Sequence, residues 1–274
     1  CMDGDGKWVL DKEIGRDGRG KIFYGRGVTI GQNEDVVVAD FTNSVKMFDT
    51  HGKFKQVFQQ GDLSFPYDVT VGASGQYYVT DRSSHVQVYT SDGKYVNRFP
   101  VTSPDGKSSD TDGSKLYGLA VDNTGCLLVG SSNKYISKHQ QDGTHISTIK
   151  VNTRPFFIAV TTSANIVVSP CISPSTGVQI LDHAGNLLHT INAPKDAPSW
   201  YPAGVCCSND GIIYISSYDS GDKGGIYSFT EDGEYLRCVT RDVNCANALT
   251  LTDGKLVVAQ GNTNPVKVFK YVDP

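Results

Sequence analysis

The chain runs to 274 residues with 25 basic and 29 acidic side chains, a formal net charge of −4 that argues against a generic polyanion binder without excluding a local basic patch. It has no apolar run of about 18 residues and no charged-then-apolar leader, so a helical membrane span is excluded and a cytoplasmic protein is expected. Seven cysteines, an odd number, are too few for a disulfide scaffold and fit a reducing compartment better.

In chain order, the first readable element is a strand over residues 8–14. An alternating run follows at Val28-Thr29-Ile30, then the apolar triplet Val36-Val37-Val38, then a third run over 45–48 with Gly52 behind it. The same order returns five times. Its first runs are 69–71, 119–121, 158–160, 205–207 and 249–251; its triplets are 77–79, 127–129, 166–168, 213–215 and 256–258; its third runs are 86–89, 136–139, 178–181, 226–229 and 266–269. Period-two alternation, β-branched and aromatic enrichment and Gly or Asp at each break mark these as strands rather than helices. Continuous apolar triplets suit strands covered on both faces. Gly52, Gly93, Gly143, Gly185 and Gly233 stand where a hairpin into a fourth strand requires positive φ.

A unit that recurs every 40 to 50 residues, roughly, marks a propeller, array or solenoid. Six such units predict an all-β, six-bladed β-propeller of four-stranded antiparallel blades. The sixth unit runs out of chain after Tyr271, but Asp5-Gly6-Lys7-Trp8-Val9 matches the interior turn Asp92-Gly93-Lys94-Tyr95-Val96. The N-terminal strand is therefore expected to close the last blade, leaving fewer free edges. A β-sandwich, the alternative fold, does not explain the equivalent turns. Residues 1–274 are read as a single domain, because one blade cannot bury its own faces. A start at Cys1 in mid-blade suggests a piece of a longer protein. The longest irregular stretch, 101–115, joins the second blade to the third.

The run Phe65-Pro66-Tyr67-Asp68-Val69-Thr70-Val71, followed by Tyr78-Val79-Thr80-Asp81, His85-Val86-Gln87-Val88-Tyr89 and Ser91-Asp92-Gly93, resembles the NHL repeat. The segment from Leu249-Thr250-Leu251 through Val266-Lys267-Val268-Phe269 is similar to the last blade of NHL domains in tripartite-motif (TRIM) proteins, and Ile14-Gly15-Arg16-Asp17-Gly18-Arg19-Gly20 to the Gly-rich start of their first. The resemblance spans essentially the whole chain. It departs at Asn43-Ser44 and Ser84-His85, where the signature Asn-His is reduced, at Lys138, and in the fourth-blade gap over 169–174. The resemblance implies a C-terminal, non-catalytic partner-recognition module, with zinc confined to a separate RING and B-box region and no cofactor in the propeller. Such modules recruit protein substrates for an E3 ubiquitin ligase, or alternatively bind single-stranded or stem-loop RNA.

In a propeller the loops before the first strand and between the second and third share one face. Counting along the repeat places Arg26, Tyr67, Tyr117, Phe156, Ala203 and Asn247 in an inner ring there, with Phe41, Arg82, Lys134, Tyr218 and Gln260 around it. The expected ligand-binding face is Arg26, Tyr67, Arg82, Tyr117, Lys134, Phe156 and Asn247. Aromatic rings beside Arg and Lys can stack bases and neutralise phosphates, and the same residues make protein hot spots. The plain alternative is that the aromatics plug the channel and the cations are ordinary surface. Asp40, Asp68, Asp81, Asp219 and Asp222 on the same loops would repel a phosphate backbone, which favours a protein partner over RNA. Neither a membrane nor a small-molecule substrate is expected.

Catalysis is not expected either. Propeller hydrolases and lyases with a central metal need several oxygen or nitrogen donors converging on the channel, and the inner ring offers only Asn247. The six histidines are scattered and no HExxH occurs. Cys206-Cys207 reads as packing, since strand neighbours point to opposite faces. The glycine-rich 221–225 stretch opens no helix.

Overall fold

The chain's computed structural model describes residues 6–58, 63–170, 177–197, 199–218, 223–252 and 254–272. Twenty-four strands pair into six antiparallel sheets of four, as the repeat predicts. In blade one the strands are Gly25–Ile30, Val36–Asp40, Ser44–Phe48 and Phe54–Val57, and in blade two Asp68–Val71, Tyr77–Thr80, His85–Tyr89 and Tyr95–Pro100. The next three blades repeat that order. The sixth has the order Lys7–Ile14, Val266–Val272, Lys255–Gln260, Ala246–Thr252, so the N-terminal strand is its outer edge.

That closure is antiparallel, with Trp8 opposite Tyr271 and Glu13 opposite Lys267, and it shifts register between Leu10 and Lys12. Trp8 fastens it, meeting Tyr271 edge-on at 5.5 Å and Tyr214 of the preceding blade at 6.1 Å. Gly52, Gly93, Gly143, Gly185 and Gly233 have φ of +84°, +72°, +91°, +88° and +85°. A Cβ is disfavoured in that region, which is why the same residue recurs at each hairpin.

The second strands of the first four blades are buried along their whole length, and those of the fifth and sixth at all but one end residue, because neighbouring blades cover both faces. Val37, Ala39 and Met47 of blade one pack with Val69, Tyr77, Val79 and Tyr89 of blade two. Tyr78, Val86 and Val88 then pack with Leu119, Leu127 and Val129 of blade three. No blade contains a core of its own. Main-chain links join the blades as well: the Asp68 carboxylate accepts the Leu119 N–H at 2.9 Å, and the Ser216 hydroxyl donates to the Ala246 carbonyl at 2.9 Å.

The 101–115 stretch is more ordered than expected. It holds a single helical turn, Ser109–Asp112, and a bridge between Thr102 and Ser108. Ser109 secures it, accepting the Val101 N–H at 2.9 Å and donating to the Ser84 carbonyl at 2.5 Å. No helix among the described residues is long and apolar enough to cross a membrane.

Candidate functional site

The inner strands of the six blades surround an axial channel with a cavity of about 190 Å³, lined by Val28, Asp68, Leu119, Ile158, Val205 and Leu249 among others. At one mouth residues at the starts of those strands, joined by Phe41 from the loop after Val36–Asp40, build an aromatic ladder through four blades. Tyr117 and Phe156 stack with centroids 4.1 Å apart and planes 15° from parallel. Tyr67 meets Tyr117 edge-on at 4.9 Å, and Phe41 continues the ladder at 5.4 Å from Tyr67 and 5.1 Å from Phe65.

Guanidinium groups lie over the ladder. That of Arg26 is 5.2 Å from the Tyr67 ring and 5.6 Å from Phe41; that of Arg82 is 4.6 Å from Phe65 and 5.8 Å from Phe41. Burial and Tyr67 push the Tyr117 hydroxyl above its ordinary pKa, while Arg154, Arg26 and Arg82 together pull against them. Three cations therefore act on one phenol. Among the described residues none of the three forms an ion pair, and the buried Nε of Arg26 has no hydrogen-bond partner. A cation–π contact is worth about 0.5–2 kcal/mol, which positions a guanidinium without neutralising it.

Five expected site residues thus meet at this mouth: Arg26, Tyr67, Arg82, Tyr117 and Phe156. Two do not. Asn247 is fully buried, its amide donating to the Gly25 carbonyl at 2.7 Å and accepting from the Tyr218 hydroxyl, so it ties the fifth, sixth and first blades together. Lys134 shares the face but lines a separate groove beside residues 103–112 and 150–152. Arg154 and Phe65 escaped the count because they stand two residues before the counted position, each just before a proline. Tyr24 occupies the same position in blade one and joins the ladder 5.9 Å from Phe41.

The aspartates expected to repel an anion turn away from it. Asp40 is fully buried, accepts the N–H groups of Phe23 and Tyr24 at 3.1 and 3.0 Å, and pairs with Lys46 at 2.6 Å. Asp81 is equally buried and accepts the N–H groups of Ser64 and Ser83. Short side chains at loop starts satisfy orphaned backbone donors. Asp219 and Asp222 lie outside the described residues. What the described part of the mouth presents is positive.

Asp68 is the exception. It lines the channel one residue below Tyr67, beneath the positive charge of Arg26. Burial pushes its carboxyl up to about 7, against the pull of the Leu119 and Val69 amides and of Arg26. Gly27 makes room for it, since a Cβ there would stand 2.6 Å from the carboxylate. Cys206 and Cys207 also line the channel, but burial raises both thiols, Cys207 to about 12. Neither is a thiolate near neutral pH.

A central metal does not fit these residues. Among the described residues no group of three His, Cys, Asp or Glu side chains is placed to hold one, and the Asn247 amide is already engaged.

No family model matches the chain, and neither does the sequence of any curated protein. Its fold is similar to solved structures that cover nearly all of it. Virginiamycin B lyase from Staphylococcus aureus is 12% identical with a TM-score of 0.65, over 97% of this chain and 100% of that one. A gluconolactonase from Xanthomonas campestris is 14% identical with a TM-score of 0.72, over 98% and 91%. A Bacteroides thetaiotaomicron protein of unknown function is 14% identical with a TM-score of 0.71, over 97% and 76%. At such identities the likeness establishes the six-bladed fold. It also corrects the functional expectation: the two neighbours with a named activity are a lyase and a lactonase, and neither is a tripartite-motif recruitment module. The non-catalytic reading, whether as ligase adaptor or RNA reader, is set aside, because lacking a chelating ring does not deprive the channel of acid–base chemistry.

Proposed function

We propose that the chain is a propeller enzyme that takes a small anionic substrate with a planar portion at the channel mouth and transfers a proton through Asp68. The observation that carries this reading is a set of three arginines with no ion pair among the described residues, Arg26 and Arg82 over a ladder of stacked rings and Arg154 acting on Tyr117 within it. Unpaired cations on a partly desolvated surface favour an anion, and the ring faces favour a flat group beside it. A carboxyl with a pKa near 7 is suited to both halves of acid–base catalysis at neutral pH. Hydrolysis of a cyclic ester, which the name gluconolactonase implies, or an elimination, which the name lyase implies, both require one well-placed proton carrier.

The repeat signature at Phe65-Pro66-Tyr67-Asp68-Val69 supports counting the blades as NHL-type. Among the described residues Cys126, Cys206, Cys207 and Cys238 are free thiols, which supports a cytoplasmic setting. No cofactor is assigned.

The test is binding of 2-naphthoate followed by fluorescence, together with turnover of aryl esters and lactones carrying a carboxylate. Arg26→Gln should weaken 2-naphthoate at least tenfold, and Asp68→Asn should lower kcat while leaving that affinity in place. Absence of both binding and turnover overturns the reading.

A further inference from the structure

We infer that the mouth has a second anionic subsite, so that its substrate is an extended molecule with two acidic ends; this rests on the reading of the mouth as a substrate site. The groove that holds Lys134 has a volume of about 1120 Å³ and is lined by Lys107, Asn133, Lys134, Lys150 and Asn152 on the same face. It is joined to the mouth by two residues of chain, since Asn152 lines the groove and Arg154 acts on Tyr117. Two residues span at most about 7 Å. A ligand longer than a single ring can therefore touch both.

The chemistry of the groove is sorted by what is already engaged. Lys107 pairs with Asp105 at 3.0 Å, and Asp112 keeps its charge but turns its oxygens to the Ser114 N–H at 2.7 Å and the Tyr135 hydroxyl at 3.2 Å, so the lining sets Lys107, Lys134 and Lys150 against two carboxylates. Among the described residues Lys134 and Lys150 have no ion-pair partner. They stand on adjoining parts of blade three: the Val151 N–H bonds the Lys134 carbonyl at 3.0 Å, which fixes the residue after Lys150 against Lys134. Lys134 has a φ of +60°, a left-handed conformation that a non-glycine residue adopts only when its surroundings hold it there. Two lysines of free charge, with amides of Asn133 and Asn152 beside them, take a carboxylate or phosphate rather than a neutral tail.

The test compares 2-naphthoate, which occupies the mouth alone, with 6-carboxy-2-naphthoyl-Glu-Glu, which keeps a carboxylate for the mouth, and its neutral-tailed counterpart 6-carboxy-2-naphthoyl-Gln-Gln amide. The acidic tail should tighten binding about tenfold over the neutral one at low salt and lose most of that gain at high salt. Lys134→Gln with Lys150→Gln should abolish the gain and leave 2-naphthoate binding unchanged; both side chains are on the surface, so folding is not at stake. Equal affinities for the two tails, or a gain that survives the double substitution, sinks the subsite while the mouth stands. Failure of 2-naphthoate itself to bind sinks the mouth and the subsite together.

Discussion

Tyr117 and Phe156 lie in different blades, yet their rings stack at 4.1 Å with only 15° between planes. The next residue in the chain makes that possible. Gly118 sits where a Cβ would come within 2.9 Å of the Phe157 backbone, so the third and fourth blades approach closely enough at the mouth for the rings to meet. Replacing Tyr117 with Ala should cost about 3–5 kcal/mol of stability, as for other large buried aromatics, and weaken 2-naphthoate as well. Tyr117→Phe keeps the stack and should stay within about 1 kcal/mol in a denaturant titration.

The Asp40–Lys46 pair lies within the first blade, with neither partner appreciably exposed. Burial pushes the Asp40 carboxyl up, but Lys46 and the amides of Phe23 and Tyr24 outweigh it and hold the pKa below its ordinary value. The stability this carboxylate contributes is therefore present above the unfolded pKa and lost as pH falls through the folded one. Lys46→Ala should cost about 3–5 kcal/mol by leaving a buried charge alone. Unfolding by urea at pH 7 checks the magnitude, and the loss should shrink in acid.

Asp68 has the opposite sign. Its folded pKa is raised to about 7, so stability it contributes is full below the unfolded value and is lost as pH rises through neutrality. Asp68→Asn keeps an oxygen acceptor for the Leu119 N–H and removes the titration. The variant should be more thermally stable than the parent at pH 8, with the advantage vanishing near pH 4, while the ascending limb of any pH–rate profile disappears. Equal Tm differences at both pH values would count against a raised pKa.

His139 is a third pH-sensitive point, on the third blade. Burial pushes its pKa down, the Gly143 carbonyl pulls it up and His145 pushes it down again. Its ring nitrogens lie 2.8 Å from the Ser137 hydroxyl and 3.0 Å from the Gly143 carbonyl. A depressed folded pKa means that stability is present above the unfolded value and falls with pH below it. Between pH 7 and pH 5 the parent should therefore lose more Tm than His139→Gln does.

Closure of the ring can be tested at Trp8. Trp8→Ala should cost about 3–5 kcal/mol and loosen the N-terminal strand, exposing the edge of Val266–Val272. Hydrogen exchange at the Lys270 and Val272 amides should rise first, since they alternate with Tyr271, whose N–H bonds the Gly254 carbonyl on the inner side, and so face the N-terminal strand. Unchanged protection there would mean that the strand is not what holds the last blade.

Much of this molecule was legible as text. Strand alternation, the five hairpin glycines and the match between Asp5-Gly6-Lys7-Trp8-Val9 and an interior turn together specify six blades and their closure, because such signals are local and repeat. The inner ring was legible too, and it placed Tyr67, Tyr117 and Phe156 correctly by position alone. Direction was not. Asp40 and Asp81 read as surface charge in the sequence and are buried caps in the fold, since a short carboxylate turns inward wherever backbone donors are left over. Asn247 occupies the ring by count but is spent on the Gly25 carbonyl and Tyr218. Arg154 carries no sequence signal beyond its place before a proline, and only the approach of blade four to blade three makes it part of the mouth. A repeat sets which positions are equivalent; which side chains are left unpaired at those positions depends on neighbours brought from other blades, and that is settled by packing.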